Sequence, residues 1–134
     1  MNWFLLALVA GMVALALYQL ILARPGIPLE DAKAALQAGT AVLVDIREPA
    51  EWPAAGVAKQ AALLPYSDLR GARAQWQPFL EKHRGQKLLL YCASGARSGL
   101  AARELRREGL DAVNAGSLRD WDKAGWPICQ PKNR

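Results

Sequence analysis

The chain has 134 residues and a formal net charge of +5, from 17 lysines and arginines against 12 aspartates and glutamates. This length leaves room for one domain. The basic residues form no clustered tract, so nucleic acid is not an expected partner. No charged residue or histidine occurs before Arg24. The chain therefore divides into an uncharged N-terminal segment and a charged remainder.

The N-terminal segment contains 20 almost entirely apolar residues, 3–22. As a helix it would be about 30 Å long, the thickness of a bilayer's hydrocarbon core. A cleaved signal peptide would need a basic stretch first, a shorter apolar core and small residues before the cut. No lysine or arginine precedes this run, and Ile21 and Ala23 form a poor cleavage pair. An uncleaved transmembrane helix over residues 1–23 is favoured over a signal peptide, and both are favoured over a buried core helix.

The charges nearest the apolar run predict its orientation. Arg24 and Lys33 follow the run, whereas only the α-amino group precedes it. Because positively charged flanks stay on the cytoplasmic side, we expect a single-pass protein of the inner cell membrane with a cytoplasmic domain. The net charge of +5 agrees with a domain beside an anionic leaflet. A generic basic surface would give the same net charge.

The remainder predicts a linker and one α/β domain. Pro25, Gly26 and Pro28 indicate a linker over residues 24–28, followed by a domain over residues 29–130. Helices are predicted over residues 28–39, 68–83 and 97–109, the second with a break near Pro78. A further helix begins at Ser117, which forms a capping box with Asp120. Strands are predicted over residues 41–46, 61–65, 87–91 and 111–115. Uninterrupted apolar strands separated by helices indicate parallel pairing. We expect a small three-layer α/β domain with a mainly parallel central sheet behind one transmembrane helix.

Cys92 directly follows the strand over 87–91, at the sheet edge where ligands bind. The chain then enters a helix near Arg97, whose first amides and dipole favour an anionic sulfur. Arg97 adds a cation able to contact an oxyanion with two N–H groups. The four residues between them, Ala93, Ser94, Gly95 and Ala96, are small, so they should let the backbone curl around the sulfur and leave it open to a second reactant. A buried, unreactive cysteine is the alternative.

Three stretches resemble one family. The stretch "CASGARS" (92–98) resembles the active-site loop of rhodanese domains, the sulfurtransferases, which has a cysteine, four residues, an arginine or threonine and a small hydroxyl residue. The stretches "VDIREPAEW" (44–52) and "NAGSLRDWDKAGWPI" (114–128) are similar to signatures near the start and end of that domain. Their order identifies residues 27–128 as resembling a rhodanese-like domain.

The resemblance implies a cysteine persulfide cycle without a cofactor or metal. Cys92 would take a sulfane sulfur from a small anion such as thiosulfate, or from a persulfide donor, and pass it to a thiol, to a cyanide-like acceptor or to an acceptor protein. Arg97 would steady the loop and the anionic end of the donor. The persulfide would lie among the amides of Ala93, Ser94, Gly95, Ala96, Arg97 and Ser98. Because Arg97 is the loop's single basic residue, a persulfide carrier is expected to be a better donor than thiosulfate.

Other positions are interpreted more simply. Asp45 and Arg47 match family positions that we interpret as mainly structural, with a supporting role at the site left open. Val57 stands where the family usually has a histidine, which we interpret as a change in local packing. Cys129 is a candidate resolving thiol, although no C-x-x-C spacing supports it. One histidine, His83, and two distant cysteines predict no metal site.

The sequence leaves two other functions open. One is a catalytically weak rhodanese-like module that recruits a partner to the membrane, which an unreactive Cys92 would favour. The other is a phosphatase of the same fold, whose loop needs five residues between cysteine and arginine to enclose a tetrahedral phosphate. The chain has four, so a phosphatase is disfavoured.

Overall fold

The computed structural model describes residues 2–134. Its helices are α1 (Trp3–Ala23), α2 (Leu29–Gln37), α3 (Glu51–Ala55), α4 (Tyr66–Leu69), α5 (Trp76–Lys82), α6 (Ala96–Arg107) and α7 (Leu118–Lys123), with a 3₁₀ turn over Pro131–Asn133. Its strands are β1 (Ala41–Asp45), β2 (Val57–Ala58), β3 (Ala62–Leu63), β4 (Lys87–Cys92), β5 (Ala112–Ser117) and β6 (Ile128–Cys129).

The central sheet has the strand order β3-β1-β4-β5, and every pair in it is parallel. Strands β1 and β4 are the inner pair, so their side chains are covered on both faces, which explains why their sequences do not alternate. Helices α4, α5 and α6 contribute to an apolar cluster on one face. Helices α2 and α7 contribute to the cluster on the other. The three-layer α/β architecture predicted from the sequence is confirmed.

The prediction of one helix over residues 68–83, broken near Pro78, is wrong. Two helices, α4 and α5, occupy this region, and the chain between them turns at Arg73, whose φ is 56°. The Asp68 carboxylate accepts the N–H groups of Ala74, Gln75 and Trp76 at 3.0, 3.0 and 3.1 Å, which caps the start of α5. Pro78 lies in the first turn of α5, where its missing N–H leaves no hydrogen bond unmade.

A second, two-stranded antiparallel sheet pairs β2 with β6. Each strand has two residues, which is too short for a periodic pattern, so the sequence did not predict it. Val57 is fully buried and lies opposite Cys129 in this pairing. The valine therefore fills an apolar position between the sheet and the C-terminal segment.

Helix α1 is apolar on all sides, and a window within it has a mean hydropathy of 2.4. It is long and apolar enough to cross a membrane, and none of its residues is buried. Its last turns lie against α6 and β5. After α1 ends, the Gly26 N–H donates to the main-chain oxygen of Asn114 in β5 at 2.8 Å. The predicted linker is therefore hydrogen-bonded to the edge strand of the central sheet.

Candidate active site

Cys92 is the last residue of β4, at the carboxyl edge of the sheet, as the sequence predicts. Its exposed fraction is 0%, and it packs in the apolar cluster beneath α6. The expectation that its sulfur is open to a second reactant is therefore wrong for this conformation. Small side chains let the loop close over the sulfur, and Ala93 and Ser94 lie exposed on the outside. A donor must move part of this loop to reach Sγ.

Two groups of the loop contact the sulfur. The Gly95 N–H donates to Sγ at 3.0 Å, and the Ser98 hydroxyl lies 3.5 Å from Sγ. Gly95 has a φ of 91°, a left-handed conformation that glycine adopts without strain and that turns the loop into α6. The Gly95 N–H is thus the loop group that donates to the sulfur, because the single proton of the Ser98 hydroxyl goes to Asn114 Oδ1 at the shorter distance of 2.7 Å. Participation by the other loop amides stays a prediction.

The Arg97 guanidinium forms a two-pronged ion pair with the Glu51 carboxylate, with both N–O distances at 2.8 Å. This pair attaches the loop to α3, which agrees with a loop-steadying role for Arg97. The hydrogen bond with Glu51 is the main cause that raises the pKa of Arg97. Its charge is compensated inside the protein, so the loop has little excess positive charge for an incoming anion.

Glu51 could not be assigned to the site from the sequence, because 46 residues separate it from Arg97. The Arg97 hydrogen bond, together with the N–H of Glu48 at 2.8 Å, lowers the pKa of Glu51 to about 2. The carboxylate therefore remains ionised throughout the neutral range. The sequence holds no signal for this pair beyond the opposite charges of the two side chains.

Asn114 is a second residue that sequence analysis did not place in the site. Its Oδ1 accepts hydrogen bonds from the Ser98 hydroxyl at 2.7 Å and from the Gly116 N–H at 3.0 Å. It is 5% exposed, in the otherwise apolar first half of β5. A buried polar side chain needs hydrogen-bond partners, so an asparagine within an apolar strand was the available signal.

Asp45, Arg47 and Tyr91 form a buried network beneath α3. Asp45 Oδ2 accepts from Arg47 Nη2 at 2.6 Å and from the Tyr91 hydroxyl at 2.6 Å. Arg47 also donates to the main-chain oxygens of Glu51 at 3.3 Å and Gly56 at 2.6 Å. Burial, followed by the Asp45 charge, raises the pKa of Tyr91, which keeps the phenol neutral. The network positions the backbone of Glu51, and it thereby helps to hold Glu51 in place for its ion pair with Arg97.

Cys129 lies in β6 and is partly exposed, and both thiols are free. The structure places it opposite Val57 rather than in the Cys92 loop. A role as resolving thiol stays a prediction.

The Glu51 pKa predicts how stability depends on pH. Folding lowers the pKa from 4.5 to about 2, so the carboxylate's contribution is complete above 4.5 and is lost as the pH falls toward 2. We expect Glu51→Gln to lower the thermal unfolding midpoint of the full chain at neutral pH, and to have progressively less effect within that acid range. An equal loss at neutral pH and at the acid end would contradict the assignment.

The geometry defines a class of protein, an α/β domain that carries a thiol at the end of a central parallel strand and a helix that begins in the following loop. The model of the rhodanese-like domain matches residues 28–124, and the chain belongs to that family. The family resemblance found in the sequence is thereby confirmed.

Three individual proteins are similar to this chain. An uncharacterised protein of Synechocystis is 34% identical over 99 residues, which cover 72% of this chain and 51% of that protein, so the chain spans about half the length of this curated relative. A solved structure from Rhodopseudomonas palustris, of unknown function and designated "possible tyrosine phosphatase", is 31% identical with a TM-score of 0.60, covering 74% of this chain and 80% of its own. A human single-domain sulfurtransferase is 27% identical with a TM-score of 0.55, covering 75% and 96%. The family and the likeness to the human sulfurtransferase support sulfur transfer at the level of the family.

Proposed function

We propose that this protein is a membrane-anchored sulfurtransferase that carries a sulfane sulfur as a persulfide on Cys92. The observation that carries the proposal is the contact of the Gly95 N–H with Cys92 Sγ at the start of α6. An N–H donor and the positive end of a helix dipole stabilise an anionic sulfur, the form that attacks.

The proposed cycle balances without a redox partner. The Cys92 thiol releases its proton to solvent, and the thiolate attacks the outer sulfur of thiosulfate. A sulfur–sulfur bond forms to Cys92, the bond within thiosulfate breaks, and sulfite leaves with the electron pair. The thiolate or cyanide acceptor then attacks the terminal sulfur, and the Cys92 thiolate leaves.

A persulfide donor fits the loop better than thiosulfate does. The Arg97 guanidinium is already engaged by Glu51, and thiosulfate carries two negative charges that need compensation. A persulfide donor brings less charge to a loop with little excess of positive charge. We therefore expect a higher value of kcat/KM with a small-molecule persulfide than with thiosulfate.

Charge beside α1 supports the membrane part of the proposal. Tyr18 of α1 lines a groove of about 430 Å³ together with Arg70, Arg103 and Arg107, while Glu104 is the one acidic residue lining it. Arginines at the end of an apolar helix favour contact with anionic lipid headgroups, and tyrosine is common at the membrane interface. This groove is consistent with a domain on the cytoplasmic side.

Intact mass measurement on the full chain in detergent tests the proposed function. Exposure to thiosulfate, or to a small-molecule persulfide, should add one sulfur atom, and cyanide should then remove it. Cys129→Ser is the matched control, and it should load and release sulfur as the wild type does. If neither donor adds sulfur to the folded chain, the sulfurtransferase proposal fails.

A recruitment module is the second candidate, favoured by the complete burial of Cys92 and by the compensation of the Arg97 charge. The family is compatible with domains that transfer no sulfur. The same mass measurement separates the two candidates, because a recruitment module would retain its fold and gain no sulfur from either donor.

The proposed orientation predicts which vesicles protect the domain from protease. In sealed right-side-out vesicles of the host's inner membrane, the domain should resist added protease, whereas in inside-out vesicles it should be digested. This orientation follows from the positively charged residues Arg24 and Lys33, which come after the apolar run. Digestion in right-side-out vesicles would reverse the orientation, and a mature N-terminus near Arg24 would show that residues 1–23 are a cleaved signal.

A further inference from the structure

The side chain of Asn114 connects the end of α1 to the sulfur-binding loop. Its Nδ2, which carries two hydrogens, donates to the main-chain oxygen of Leu22 at the end of α1 at 2.8 Å and to that of Gly95 in the loop at 3.0 Å. The main-chain oxygen of Arg24, directly after α1, lies 3.1 Å from the same nitrogen. These three oxygens only accept hydrogen bonds, and the Gly116 N–H only donates, which fixes the orientation of the amide.

The loop is also shaped to receive the end of α1. A Cβ atom at Gly95 would lie 2.6 Å from the main-chain oxygen of Ala23. A Cβ atom at Gly99 would collide with the main-chain oxygen of Leu22. Two glycines, one in the loop and one in the first turn of α6, therefore permit an approach that any side chain would prevent.

This contact reaches the sulfur in few steps. Gly95, whose oxygen accepts from Asn114, also donates its N–H to Cys92 Sγ at 3.0 Å. Ser98, whose hydroxyl contacts Asn114 Oδ1, lies 3.5 Å from the same sulfur. The Gly95 N–H and the Ser98 hydroxyl, which both lie at the sulfur, are thus held by the side chain that holds α1.

We propose that Asn114 is a positioning residue that couples the docking of α1 to the structure of the sulfur-binding loop. Sulfur transfer at Cys92 then depends on whether the membrane helix is docked. This inference rests on the proposed function. Helix α1 then does more than tether the domain, because its last turn orders the loop from outside. A change in the seating of α1 would alter the reactivity of Cys92.

Two variants of the full chain in lipid nanodiscs test this coupling from opposite sides. Asn114→Asp keeps an oxygen for Ser98 and Gly116 but loses the donor to the end of α1 and to the Gly95 oxygen in the loop. Gly99→Ala keeps the Asn114 side chain, whose Nδ2 the new Cβ would approach to 3.3 Å, and unseats α1 by collision with Leu22, although alanine is otherwise favoured over glycine in a helix. Gly11→Ala is the matched control in α1, because its added Cβ would meet nothing within 4 Å.

Hydrogen exchange of the loop peptide and the rate of sulfur loading are the two measurements. We expect both variants to exchange faster and to load sulfur about tenfold more slowly at saturating donor, with the half-saturating donor concentration changed less than about twofold. The double variant should also be about tenfold slower rather than about a hundredfold, because both changes break one connection. Gly11→Ala should behave as the wild type.

The outcomes separate the two proposals. Loop exchange as slow as in the wild type in both variants would overturn the coupling, whatever the activity. Faster exchange with unchanged loading would also overturn it, because the loop would then not depend on α1 for its chemistry. A wild-type chain that never loads sulfur would overturn the proposed function, while loop exchange would still decide whether α1 orders the loop.

Discussion

We expect the replacement of Cys92 by serine to abolish sulfur loading from thiosulfate and from a small-molecule persulfide. A serine hydroxyl occupies nearly the same space, but its oxygen cannot hold a sulfane sulfur in a persulfide. The Gly95 N–H can donate to the serine oxygen as it does to Sγ, so the loop retains its hydrogen bond. We therefore expect a folded protein whose mass does not change on exposure to thiosulfate or a small-molecule persulfide.

The two cysteines allow a direct comparison within one chain. Cys129→Ser should gain one sulfur atom as the wild type does, because Cys129 lies in β6 and outside the Cys92 loop. Thermal unfolding of both variants in detergent checks that any loss of loading is chemical. If Cys92→Ser gains sulfur and Cys129→Ser does not, then Cys129 is the thiol that carries the sulfur.

The sequence was informative where a local pattern determines the structure. Apolar runs without alternation indicated buried parallel strands, and the position of Cys92 after such a run placed it at the ligand-binding edge. The spacing of Ser117 and Asp120 indicated a capping box, which the structure contains. In each of these cases the residues that decide the outcome are neighbours in the chain.

The sequence was uninformative where contacts join distant segments. Glu51 reaches Arg97 because the buried Arg47 holds α3 in place, and no local pattern reports such an arrangement. The contact between Asn114 and Leu22 spans 92 residues and depends on glycines that local patterns cannot distinguish from turn residues. The expectation of an open Cys92 was wrong, and burial was only the alternative, because small neighbours are compatible with an open loop and with a closed one.

Replacing Arg47 by methionine destabilises the domain by about 3–5 kcal/mol, because it leaves the Asp45 carboxylate buried without its counter-ion. Arg47 is 2% exposed and Asp45 is 0% exposed, so water cannot take the place of the guanidinium. The main-chain oxygens of Glu51 and Gly56 also lose their donor. Denaturant unfolding of the full chain in detergent measures the loss.

Two further variants show that the effect arises from the isolated charge. Arg73→Met removes the arginine from the more exposed pair with Glu108, where an ion pair contributes about 0–1 kcal/mol, together with its hydrogen bond to the main-chain oxygen of Leu69 at 2.8 Å, and it should destabilise less than Arg47→Met. Asp45→Asn combined with Arg47→Met removes both charges, so the double variant should be more stable than Arg47→Met alone. If Arg47→Met is no more destabilising than Arg73→Met, then Asp45 does not depend on Arg47, and the support proposed for Glu51 and Arg97 through α3 is wrong.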